Sequence, residues 1–399
     1  MNKWCLPLLC IPTLAWAQSP AEVIARFNGA MPTGVAVSQS GRIFVNFPRW
    51  GDNVTHTVAE LQGGREVAYP NAKMAVYDPQ ASRDTLVSVQ SVVVDSADRL
   101  WILDTGSIQF GPPVSGGPKL VGVNLQTNKV FQTVALGSEV VRDTTYLNDV
   151  RVDVAANRAY ITDSGRGQNA IIVVDLKTGR AWRKLDGHPS VEEEASFVPV
   201  VEGKPLYNQG QHLKVGADGI ALSADGKRLY YSALSGRRLY SVATEALANP
   251  AGDASSSVRD EGDKGGAADG LEMDSAGNIY ATNYEHASVM KRDAQGKYSL
   301  LAQLEPKVWP DTLALGDGWL YCMTNQLHRQ AIFQGGQDRR EKPYVLYRMA
   351  VAKTTNQSGG QRSMETITTA SGLKYEILKE GDGAVAKAGQ TVTVHYTGW

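Results

Sequence analysis

Cysteine is scarce in this chain: three residues in 399, at positions 5, 10 and 322. The first two fall in "WCLPLLCIPTLAWA", an apolar stretch behind Lys3 that ends in a small-x-small cleavage pattern. That is the layout of a secretory leader, too short to span a bilayer comfortably. Cleavage after Ala17 would leave Cys322 alone, so the mature chain has no intrachain disulfide. Charge of one sign is also lacking: 40 Lys and Arg stand against 41 Asp and Glu. That balance excludes a nucleic-acid binder driven by phosphate neutralisation. Beyond the leader no apolar run is long enough to cross a membrane. Helical periodicity is nearly absent, "PSVEEEASF" (189–197) reading at most as one helical turn in a loop. The expectation is an exported, periplasmic or extracellular, monomeric protein, with no membrane contact after leader cleavage.

What the chain has in quantity is glycine, 40 residues, with 17 prolines, spread throughout. That is turn-rich without being low-complexity. A phrase recurs between the turns: "TGVAVSQSGRIFV" from Thr33, "QSVVVDSADRLWI" from Gln90, "NDVRVDVAANRAYI" from Asn148, "DGIALSADGKRLYY" from Asp218, "DGLEMDSAGNIYA" from Asp269 and "DTLALGDGWLYC" from Asp311. Each runs from a polar residue into an alternating strand, a turn, and a second strand carrying an aromatic. The intervals are 57, 58, 70, 51 and 42 residues. A constant unit with variable loops of this size predicts propeller blades, hence an all-β, six-bladed β-propeller. "AEVIARFN" and "YVLYRMAV" are expected to meet in one blade and close the ring, sparing it open edges. Two long intervals, 187–216 and 249–268, read as loops over one mouth of the channel, the second as a mobile one.

If each unit opens a blade's innermost strand, Thr33, Gln90, Asn148, Asp218, Asp269 and Asp311 form an oxygen-bearing ring around the channel. Three carboxylates facing one narrow channel would hold either a shared proton or a cation. Oxygen donors in this number suit Ca²⁺ better than Zn²⁺, with Asn148, Asp218 and Asp269 as its ligands. A polar organic ligand is the third occupant, with Thr33, Gln90 and Asn148 as contacts. An Asp-Gly at a strand entry can also be a turn whose carboxylate bonds its own backbone. The six histidines show no metal-ligand spacing; His212 and His286, on the mouth loops, are candidate ligand contacts and acid–base groups. No phosphate-binding loop, serine elbow or dinucleotide fingerprint appears, so no nucleotide cofactor is expected.

With the repeats laid out, the sequence resembles the Yellow / major royal jelly protein family in its bacterial branch. The matching phrases are "VQSVVVDSADRLWILDTG", "YLNDVRVD", "AYITDSGRGQNAIIVVDLKTG", "DGIALSADGKRLYYSALSGRRLYSV" and "WPDTLALGDGWLYCMTNQLHR". The resemblance implies a secreted six-bladed propeller with a ligand-binding channel. It also implies binding of biogenic amines in some relatives and dopachrome conversion in others. Asn325, in "TNQLHR", matches a family phrase near that channel and becomes a candidate ligand contact. More distantly the chain is similar to gluconolactonase and senescence-marker propellers. Their Glu, Asn, Asn and Asp metal ligands compare here with Thr33, Asn148, Asp218 and Asp269. Thr33 in place of Glu puts the lactonase chemistry in doubt.

Residues 18–353 are thus assigned to the propeller and 354–370 to a polar linker. The last segment, 371–399, resembles the opening of an FKBP-type prolyl isomerase, with Tyr396 of "VTVHYTG" matching a pocket tyrosine. Fewer than 40 residues bury too little core to fold alone, so this short, incomplete β segment implies no isomerase activity. Four functional readings follow. The first is a channel-binding propeller that acts as a tautomerase or isomerase through Asp218, Asp269 or Asp311. The others are a Ca²⁺-dependent lactone hydrolase, a non-enzymatic protein-binding scaffold, and an isomerase fusion that is inactive in this form.

Overall fold

A computed structural model describes residues 20–351, with two short strands at Ile367–Thr368 and Lys374–Tyr375. The leader at 1–17, most of 354–399 and Tyr396 lie outside the described residues. The chain divides into two units, 1–354 and 355–399. In the second, the two short strands pair antiparallel.

The first unit is a six-bladed β-propeller of four-stranded antiparallel sheets. The inner strands are Gly34–Val37, Val89–Val94, Leu147–Asp153, Ala217–Leu222, Leu271–Met273 and Trp309–Gly316. Each begins at or within two residues of one of the six recurring phrases. Each inner strand packs beside the next, and the last returns to the first, so the six line one axis. Alternation sets the pattern: in blade 4, Ile220 pairs with Tyr231 and Leu222 with Leu229 across a hairpin turned at Asp225-Gly226. Gly226 takes φ +69 there, a conformation that glycine adopts without a Cβ penalty.

Apolar side chains fill the six seams between blades. Trp101, Leu103, Leu147 and Val150 lie between blades 2 and 3, and Tyr160, Ile171, Ile220 and Tyr231 between blades 3 and 4. Flat sheets cannot close a ring, so each blade depends on its neighbours to bury both faces. The ring closes as expected. Glu22–Phe27 adds to Tyr344–Ala350 as the outermost strand of blade 6, with Phe27 opposite Tyr344. Phe27 is buried in the seam of blades 6 and 1.

Two expectations need correction. Part of 249–268 is not a loop over the mouth: Arg259–Asp263 is the outermost strand of blade 4, paired with Arg238–Ala243. Its polar composition reflects a strand that faces water, not a break in structure. The stretch 189–197 forms turns rather than a helical turn. Ser190 there is bonded to the Tyr231 hydroxyl and to the His188 ring, and Ser196 takes φ +62.

Candidate functional site

The inner strands slip register just where the recurring phrases begin. Shifts fall between Val89 and Ser91, Leu147 and Val150, Ala217 and Ile220, and Pro310 and Leu313. A bulge re-aims a side chain, and bulges cluster beside functional sites. Here they direct polar residues at neighbouring blades instead of along the ladder. The Asn148 Nδ2 donates to Asp218 Oδ2 at 2.6 Å, and the Trp309 Nε1 to Asp269 Oδ2 at 2.6 Å. Asn325 Nδ2 donates to Asp311 Oδ2 at 2.6 Å and to the Pro32 carbonyl at 3.1 Å. None of the three carboxyls simply caps its own turn.

These groups are buried, Asp218 at 4%, Asp269 at 8% and Asp311 at 3% exposure. Asp218 and Asp269 lie close enough for each to perturb the other's ionisation. Burial pushes Asp269 up to about 7, against the pull of the Trp309 indole. Burial and then the Asp269 charge push Asp218 well above the usual carboxylate range, and the same two causes act on Asp311. A fourth acid, Asp149, is raised by burial and accepts from Ser91 Oγ at 2.6 Å. The cation placed among them is Arg151. Its guanidinium reaches from blade 3 to the Leu271 carbonyl of blade 5 at 2.6 Å and lies 3.8 Å from Asp149 and 3.5 Å from Glu272. One guanidinium among so many acids leaves them favouring proton binding more than ordinary carboxyls do.

Above the acids opens a cavity of about 230 Å³. Its polar lining includes Gln90, Asn148, Ser164, Asp218 and Asp269, together with Asp143 and the cations Arg166 and Lys214. One wall is aromatic. Phe110 stacks on Trp50 with centroids 5.0 Å apart and lies 5.4 Å from Tyr146. The Trp50 Nε1 donates to the Tyr146 hydroxyl at 2.7 Å, which donates to Gln90 Oε1 at 3.0 Å. Another wall comes from the 187–216 excursion, with Asn208, Leu213 and Val215, and from Leu327, Ile332 and Phe333 in the loop between the second and third strands of blade 6. That excursion does cover the mouth. It carries two small hairpins and is clasped to blade 6, where Glu202 accepts from Arg329 at 2.8 Å and meets the His328 Nε2 at 3.1 Å.

The structure therefore brings Gln90, Asn148, Asp218 and Asp269 to one cavity. Thr33, Asp311 and Asn325 are buried outside its lining. Thr33 accepts from Asn46, and Asn325 ties Asp311 to blade 1, so both act within the framework. His212 and His286 are exposed and do not line the cavity. His212 instead lies edge-on to Tyr207. The aromatic wall and Arg151 escaped the sequence reading. Trp50, Phe110 and Tyr146 lie in loops outside the recurring phrases. Arg151, however, alternates with Asp149 along an inner strand, "LNDVRVD", which is a legible sign of an inward-facing pair.

As placed, the oxygens do not form a Ca²⁺ cage. Among the described residues no three acidic, imidazole or thiolate groups converge as ion ligands. Each of the three ring carboxyls already accepts an N–H donor, and the Asn148 amide turns its nitrogen, not its oxygen, to Asp218.

A six-bladed propeller with an acid-floored, aromatic-walled cavity at its channel mouth is thus the class that fold and site define. The sequence pattern described as "Major royal jelly protein" matches residues 87–354, and this chain belongs to that family. The Yellow-related salivary protein SP04 of Phlebotomus argentipes is 30% identical over 237 residues, 55% of this chain and 57% of the relative. The Yellow-related salivary protein LJM17 of Lutzomyia longipalpis is 28% identical, covering 62% and 63%. Protein yellow of Drosophila melanogaster is 27% identical, covering 55% and 42%. The chain thus spans less than two thirds of these relatives' lengths. Among solved structures, regucalcin of Agrobacterium tumefaciens, a calcium-binding protein, superposes with a TM-score of 0.50 at 16% identity over 84% of this chain and 95% of its own. A putative gluconolactonase gives 0.51 at 12% identity over 84% and 93%. At such identities these likenesses show the fold alone.

Proposed function

We propose that this protein is an exported propeller that binds a small aromatic amine at its channel mouth and moves protons on it. The carrying observation is the cavity itself, with Trp50, Phe110 and Tyr146 on one side and the Asp218–Asp269 pair at the floor. Aromatic faces attract both a ring and a cation, and a carboxylate in low dielectric holds an ammonium. Export is supported by the leader sequence and by relatives named as salivary proteins.

The proton chemistry follows from the carboxyl pair. Burial and the Asp269 charge make Asp218 hold its proton more tightly than an ordinary carboxyl, and burial raises Asp269 to about 7. An ionised Asp269 can take a proton from one atom of a conjugated substrate as Asp218 delivers one to another. The substrate is isomerised with no net gain or loss, and the pair exchanges roles. A dopachrome-type tautomerisation has this form.

A Ca²⁺-dependent lactone hydrolase is the second reading, favoured by the concentration of carboxyls in the channel. Ca²⁺ would need Asn148, Asp218 and Asp269 to turn oxygens inward and shed the shared proton. Thermal melts with phenethylamine, with Ca²⁺ and with EDTA separate the two. Stabilisation by the amine that is lost in Asp218→Asn supports the first reading. A calcium-dependent shift without an amine shift sinks it in favour of the second. No response to either leaves a protein-binding scaffold.

A further inference from the structure

We propose that Phe110 is the gate of the channel site: its ring, carried on a strained loop at the rim, closes the path between solvent and the cavity and sets how fast a ligand enters and leaves. The loop runs from Gly106 to Gly117 and is pinched at its stem. The Val114 N–H donates to the Gly106 carbonyl at 2.8 Å. A Cβ on Gly117 would lie 2.8 Å from the Gly106 Cα, so the two limbs touch backbone to backbone. The stem is fixed and the tip is where motion can occur.

The tip is strained. Gln109 and Phe110 take φ +53 and +58, two consecutive side-chain-bearing residues in the left-handed region. Bulky residues avoid that region, and where they hold it the neighbouring structure compels them, commonly at ligand clamps and switches. Local bonds hold them there: the Gly111 N–H donates to the Ile108 carbonyl at 3.0 Å, Ser107 Oγ to the Gly111 carbonyl at 2.7 Å and the Gln109 N–H to the Arg49 carbonyl at 2.9 Å, while Phe110 packs on Trp50 and Tyr146. Phe110 is 48% exposed although it is large and apolar. Its partners in the wall are tied down, Trp50 to Tyr146 and Tyr146 to Gln90, whereas its own ring has no polar anchor. Moving the tip outward relieves strain at two residues in exchange for the ring contacts with Trp50 and Tyr146 and the Gln109–Arg49 bond.

The opposite side of the mouth cannot serve as the door. The 187–216 excursion buries Phe197, Val201, Leu206 and Leu213 in one apolar cluster with Leu234, Tyr284 and residues of blades 6 and 1. Glu202 pins it to Arg329 and His328. Lifting it would expose four core side chains and break a clasp, so the Phe110 loop is the side that opens.

The gate itself is independent of the ligand's identity; only its role in amine exchange rests on the proposed function. The test places a thiol on the cavity wall by Ser164→Cys in the full chain and follows its reaction with methyl methanethiosulfonate. The parent protein, whose Cys322 is buried, supplies the background. A gate whose open form is a minor population limits access by that population, so Phe110→Ala should speed labelling by about tenfold or more, and Phe110→Trp should restore slow labelling. Gln109→Gly, which removes the strain of the closed tip and leaves the ring, should slow it; it also tests the gate if Phe110→Ala fails to fold. Equal rates in parent and variants would overturn the gate. Phenethylamine should protect the Ser164→Cys thiol. Absence of protection with a working gate would remove the amine reading and leave the gate standing.

Discussion

Glycine follows aspartate at Asp218-Gly219 and again at Asp269-Gly270, and at both the next blade's backbone occupies the place a Cβ would take. A Cβ on Gly219 would lie 2.1 Å from the Asp269 carbonyl oxygen, and one on Gly270 2.3 Å from that of Asp311. The Gly270 N–H donates to the same Asp311 carbonyl at 2.8 Å. Absence of a side chain thus lets three inner strands approach closely enough to put their carboxyls together. Gly219→Ala should cost about 1–3 kcal/mol through overpacking, read from urea unfolding, while Gly29→Ala, with open space around it, should be neutral. Equal costs for both would deny the close approach. The Asp-Gly pairs were legible because they recur at equivalent places in the chain. Trp309, which donates to Asp269, was not, since nothing in "WPDTLAL" says that an indole two residues before Asp311 leans across a seam.

Inner and outer strands differed in how plainly the sequence marked them. An inner strand is largely buried and reads as a short apolar run, as in Gly34–Val37. The outermost strand of blade 4, Arg259–Asp263, reads RDEGD and is indistinguishable from a polar loop. It becomes a strand because Arg238–Ala243 offers it a ladder, which is tertiary information. The closing strand Glu22–Phe27 was legible from need: an unclosed ring would present the free edge of Tyr344–Ala350. Its anchor is Phe27, packed edge-on to Phe47 with centroids 6.0 Å apart. Phe27→Ala should therefore cost about 3–5 kcal/mol, as for a large buried aromatic. Val23→Ala, at 40% exposure on the same strand, should stay within about 0.5 kcal/mol. A small loss at Phe27 would mean that closure depends on the ladder and not on the seam.

At the scale of the whole molecule, ring closure gathers residues from distant parts of the chain and withdraws them from water together. Asp149, Asp218, Asp269 and Asp311 come from four blades, and each is raised by burial. That burden is carried by the fold and should show in its pH dependence. Asp269 stands at about 7 folded against 3.8 ordinarily, so the folded state binds more protons between those values. By linkage, its contribution to stability is full below about pH 4, declines as pH rises to about 7, and is flat beyond. Three pK units at 1.36 kcal/mol each set an upper bound of about 4 kcal/mol for this one group. Asp269→Asn keeps an oxygen for the Trp309 N–H but cannot ionise. The variant should gain stability over the parent as pH rises from 5 to 8, with the melting-temperature gap widening by a few degrees. His328, which burial pushes below its usual value, acts in the opposite direction but equally in both proteins, so it cancels in the difference. A gap that stays constant from pH 5 to 8 would mean that Asp269 is ionised throughout. The shared proton, and with it the acid–base role of the channel floor, would then fall.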